Sequence, residues 1–238
     1  MSQAPHENAG RSNHPDGFFW SSDFVLVNPL LSDRKRRIFA VACLNRHRAK
    51  LDDPRSLRAL EVAERYADGL ISEVDRLAAE NHAFEAHAEV VQSRFDSRGY
   101  VSWSRQKEHL TRSAALLLST GYYYAVDAAD HIRRAVVNPE TPGLEQEEAA
   151  HQTIILNDIL GPYFASPPSC PSISTGRWGI EIHRLLDEIQ QNAAFDLYPF
   201  LAYALEEADC QDPLLLAHLR GPGPHFRGCW VIEHLGKT

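Results

Sequence analysis

The chain has 238 residues and a net charge of −8, with 24 lysines and arginines against 32 aspartates and glutamates. That length supports a substantial apolar core in one domain or two, and a pI near 5.8 disfavours nucleic acid, whose binding domains are usually basic. No apolar run approaches the ~20 residues that cross a bilayer, so no membrane span is expected.

In chain order, residues 1–19 carry Pro5, Asn8, Gly10, Asn13, Pro15 and Gly17 and no apolar stretch of the secretory type, which predicts a disordered tail and a cytoplasmic protein. Residues 20–238 then form one helical domain, with a C-terminal block over 177–238 packed on the rest. Ser32-Asp33 can cap a helix from Arg34 to Ala49, whose centre, Ile38 to Leu44, is apolar all round. Asp53-Pro54 opens a second helix whose face is built by Leu57, Leu60, Ala63, Tyr66, Ala67, Leu70 and Ile71; aspartate caps and proline at the first helical position favour that start. Further helices are expected over Glu73 to Phe95, Lys107 to Val137, Glu145 to Leu160, Ile180 to Gln191 and Leu197 to Glu207, and a short one follows the cap Asp212-Pro213. Pro162, Pro167, Pro168 and Pro171 make Pro162 to Gly176 a connector. Few segments alternate with period two, so the fold class is all-α. Cys43, Cys170, Cys210 and Cys229 have no CxxC spacing and are expected to be free thiols.

Three blocks carry a family likeness: "SDRKRRIFAVACLNR" with "SLRALEVAERYADGL", then "LNDILGPYFASPP", and finally "FDLYPFLAYALEEADCQDPLLLAHLRGPGPHFRGCWVIEHLGK". Together they resemble an uncharacterised family of bacterial helical proteins that share a basic, cysteine-containing first helix and an ending similar to HxRGCW…LLGK. The resemblance implies a helical fold and the domain limits. It implies no activity.

The ending also holds the chemical candidates. Gly223 as cap, Pro224 as first residue and Gly236 as stop predict a helix from Pro224 to Leu235. At about 100° per residue, His225, Gly228, Cys229, Val231, Ile232 and Leu235 would then share one face, which is read first as packing, with Gly228 admitting a neighbouring helix. The sharper alternative is a metal site in which His225 and Cys229, one turn apart, are joined by Cys210 or His218. Glu148-x-x-His151 has the spacing of di-iron bundles, but the second copy that chemistry needs is missing. Cys43 and His47 are the nearest sequential thiol and base, and their apolar setting favours a buried thiol. No nucleophile elbow or phosphate-binding glycine loop is present, so no catalytic residue and no cofactor are assigned.

Charge is the more informative signal. From Asp33 to Arg58, nine lysines and arginines face three aspartates, a net of +6 in an otherwise acidic chain. Arg34, Lys35, Arg36 and Arg37 crowd a helix N-terminus, where positive charge opposes the helix dipole; with Arg46 and Arg48 they form a candidate patch for an acidic protein surface or another polyanion. The sequence therefore points to a helical interaction or regulatory module, with a metal protein or enzyme built on Cys210, His218, His225 and Cys229 as the alternative.

Overall fold

The computed structural model describes residues 31–96, 105–121, 123–138, 141–161 and 177–236. The expected tail, Cys170 and the proline-rich connector lie outside them. Among the described residues every regular element is helical, with ten α-helices, two short 3-10 turns and no strand. No helix there is long and apolar enough to cross a membrane.

Six helices form the first layer of the structure: α1 (Asp33–Asn45), α2 (Pro54–Ala67), α3 (Glu73–Asp96), α4 (Arg105–Leu116), α5 (Tyr124–Val136) and α6 (Leu144–Leu160). Helix α1 packs on α2, α4, α5 and α6, which is why its centre is apolar all round; Ile38, Phe39 and Leu44 are buried with Leu60, Leu110, Ile132, Ile155 and Ile159. The caps at Ser32 and Asp53 are as expected, since Ser32 Oγ accepts from Lys35 N and Asp53 Oδ1 from Arg55 N. Two lengths differ. The first helix stops at Asn45 rather than running to Ala49, and the span from Lys107 to Val137 is two helices, broken where Gly121 takes φ +131°.

The C-terminal block has its own core. It comprises α7 (Arg177–Asn192), α8 (Tyr198–Glu207), α9 (Pro213–Arg220) and α10 (Trp230–Leu235), packed around Ile182, Leu185, Tyr198, Leu201, Leu215, Leu219 and Val231. The last helix is half as long as expected, because Gly223 and Gly228 adopt φ of +78° and +81°, which an α-helix cannot contain. Residues 221–229 are thus a loop, and Gly228 is a turn glycine whose added Cβ would stand 3.1 Å from Ile38 Cγ2. Contact with the first layer is mixed: Trp230 lies on Gly161, where α6 ends, and ion pairs run from Glu233 to Arg34 and Lys35 and from Arg227 to Glu64.

Helices α4 and α5 are joined by a histidine pair, His109 Nδ1 to His131 Nδ1 at 2.9 Å, in which one ring must donate and the other accept. Burial, with His109, Arg112 and Arg134 beside it, pushes His131 down to about 4. An unfolded histidine titrates near ~6.5, so between those values the unfolded chain holds a proton that the folded one refuses. Stability contributed here is complete above pH ~6.5 and is lost as pH falls towards 4. His131→Gln should flatten urea-derived stability across that window by ~1 kcal/mol, a figure reduced because the ring is only half-buried. The glycines give a second test. Gly161→Ala should cost ~3 kcal/mol, combining a glycine-only backbone conformation with collision against Trp230, whereas Gly69→Ala, at φ +73° with nothing within 4 Å of the new Cβ, should cost only ~1 kcal/mol.

Candidate metal centre

The loop between α9 and α10 turns back on itself because of its two left-handed glycines, so two side chains four residues apart both face helix α6. His225 and Cys229 come from this loop, His218 from α9, and Asp158 from the last turn of α6. Asp212 sets the start of α9 by accepting from Leu214 N and Leu215 N at 3.0 Å each.

The four side chains converge on one point. One potential ligand atom from each lies within 4.8 Å of all the others. Asp158 Oδ1 is 3.2 Å from His218 Nε2 and 3.1 Å from His225 Nδ1, while Asp158 Oδ2 accepts from Phe226 N at 2.8 Å. His218 Nε2 is also 3.1 Å from Cys229 Sγ. Asp158 and Cys229 are buried, at 5% and 0% exposure. The His225 ring lies 4.1 Å from that of Tyr198, and His218 meets Trp230 edge-on.

This pattern is a closed ring of donors rather than a relay. In a nucleophile–base–acid chain, the thiol and the carboxylate engage opposite nitrogens of one imidazole. Here both crowd the same nitrogen, which carries at most one proton. Burial works against the Asp158 charge, yet hydrogen bonds from His218, His225 and Phe226 N outweigh it and hold the carboxyl below its usual range. Cys229 goes the other way: burial, reinforced by the negative charge of Asp158, pushes its thiol up to about 12, so it is no free nucleophile at neutral pH. One carboxylate, two imidazoles and one sulfur are donors that suit Zn²⁺. A tetrahedral ion with its usual bond lengths needs donor separations of about 3.3–3.7 Å, slightly longer than the hydrogen-bonded contacts and well inside the 4.8 Å limit. With the thiol ionised, a dication would leave the buried site neutral, as burial of charge requires.

Two expectations change here. Cys210 is disulfide-bonded, so it is neither a free thiol nor a ligand, and Asp158 takes its place; Cys43 and Cys229 are free and buried. Sequence reasoning passed over Asp158 because it lies far upstream among Ile155, Leu156, Ile159 and Leu160. Its one warning sign was a carboxylate in the last turn of a helix, where the dipole opposes it.

The remaining candidates resolve into structure. Glu148 turns inward to Arg46 and His47, at 2.9 and 3.1 Å, while His151 is exposed and donates to Glu147 O; the two share no site. Cys43 is fully buried and its thiol is pushed up by that burial. Nor does the basic segment make a continuous exposed patch. Arg37 and Lys35 are buried, Arg37 donating to Leu117 O and Ser119 O and Lys35 to Ile159 O. Arg34 is held by Asp68 and Glu233, Arg46 by Glu148 and Arg48 by Glu61, and Arg36 is half-buried. Of the six residues expected to form a docking surface for an acidic partner, Lys35 and Arg37 are turned into the fold, while Arg46 and Arg48 are exposed beside the carboxylates that pair with them.

Comparison with protein families, with curated proteins and with solved structures finds no match, so the centre is read from its own chemistry.

Proposed function

We propose that the protein is a zinc-binding helical module in which Asp158, His218, His225 and Cys229 hold one ion that fastens the C-terminal block to helix α6. The observation that carries this reading is the convergence of four buried or half-buried donors from three separate segments within 4.8 Å. Four protein ligands match a structural rather than a hydrolytic site, which keeps a position open for water. Such an ion contributes to folding directly, because the unfolded chain offers no preformed site. A second reading, a protein-docking face on α7 to α9, is supported by the exposed Ile180, Phe200, Tyr203 and Leu214, and a Phe200→Glu variant that still assembles as before would remove it.

Elemental analysis of the purified chain should find about one zinc per molecule. His218→Ala, His225→Ala and Cys229→Ala should each lose it, while His234→Ala, in the same block, should keep it. Cobalt substitution should produce a sulfur-to-metal charge-transfer band that disappears in Cys229→Ala. At free zinc 100 times the dissociation constant, stability should rise by ~2.7 kcal/mol and a chelator should reverse the gain. A metal-free chain, or zinc retained in both His218→Ala and Cys229→Ala, would overturn the assignment.

A further inference from the structure

A cavity of about 640 Å³ opens where the first layer meets the C-terminal block, and Cys229 forms part of its wall. That volume falls in the range of small-molecule sites. Its lining is of two kinds. The charged part is one connected network: Arg34 bonds Asp68 and Glu233, Lys35 bonds Glu233, and Arg227 reaches Asp68 at 3.6 Å. The apolar part contains Phe195, Tyr198, Phe226, Ile189 and Ile232, and Phe195 meets Tyr198 edge-on at 5.9 Å.

The charge that a ligand would meet is positive. Arg34 and Arg227 are 39% and 29% exposed, whereas Asp68 and Glu233 are 19% and 15% exposed. The guanidinium groups thus present a larger share of their surface than the carboxylates that hold them. Ser32 also lines the cavity and caps the N-terminus of α1, a helix of 13 residues, whose dipole adds to the same sign.

We propose that this cavity binds a small organic anion, an acidic head group on an apolar or aromatic body, with Arg34 and Arg227 taking the head and Phe195, Tyr198 and Phe226 the body. The planar fork of arginine suits carboxylate, phosphate and sulfonate alike.

The probe is 8-anilinonaphthalene-1-sulfonate, an aromatic anion, compared by fluorescence titration with the neutral N-phenyl-1-naphthylamine on the full chain. The anion should bind at about one site per chain and at least about tenfold more tightly than the neutral dye, the margin that one charge-assisted contact supplies. Arg227→Gln should weaken the anion several-fold and leave the neutral dye unchanged. Gln190→Trp, at an exposed lining residue, should block the anion while the helical circular dichroism is preserved. Octanoate should displace the bound probe and 1-octanol should not, a measurement that needs no variant. Equal affinity for the two dyes, anion binding unchanged in a folded Gln190→Trp, or equal displacement by octanol would each overturn the proposal.

Discussion

After Asp33, helix α1 carries four consecutive cations, and where those charges end ties the helices of the bundle together. The last carbonyls of any helix lack partners within it and carry partial negative charge. Arg37 crosses to the turn that ends α4, donating to Leu117 O and Ser119 O, and Lys35 crosses to Ile159 O in the last turn of α6. The charges that oppose the dipole of their own helix thus complement the ends of two others. A buried guanidinium is expensive unless its donors are satisfied, and Arg37 also lies over the rings of Tyr66 and Tyr124, 5.0 and 4.5 Å from their centroids. Arg76 repeats the device from α3, donating to Leu118 O. The α4–α5 turn is consequently held by two arginines from two different helices.

The seam with the C-terminal block obeys a related logic. Asp158 places a negative charge at the end of α6, one residue before the carbonyl that Lys35 caps, and takes donors from His218, His225 and Phe226 N. Glu233 faces Arg34 and Lys35 from the other side. Apolar contact contributes through Trp230 on Gly161 and Phe226 against the first-layer core, and the polar groups add directional contacts, which accept fewer alternative arrangements than apolar surface does.

Much of the helical architecture was readable from local chemistry. Ser32, Asp53 and Asp212 act where a short polar side chain precedes an apolar repeat, and each caps the helix that follows. Reading failed where a backbone conformation, rather than a side-chain pattern, decided the outcome. Gly121, Gly223 and Gly228 all take positive φ, and nothing in the spacing of neighbouring apolar residues distinguishes a turn glycine from one that lets helices approach. Three of the four members of the candidate centre were visible, since His218, His225 and Cys229 lie within twelve residues of one another. Asp158 was hidden by distance along the chain. The fate of the basic segment was hidden for a different reason: main-chain carbonyls accept its protons, and they are present in every sequence.

The spacing of Asp158 from its partners has a consequence for the order of assembly during synthesis. The apolar core formed by residues 31–160 emerges from the ribosome before His218, His225 and Cys229 exist, so the first layer can pack while the carboxylate on α6 is still solvated. Closure must wait for the loop at 221–229, since sequence-distant contacts form only after the intervening chain is available. Until then Gly161 has no Trp230 above it and Lys35 no Glu233. The order of synthesis thus gives the first six helices the chance to pack while the C-terminal end of α6 is still uncovered.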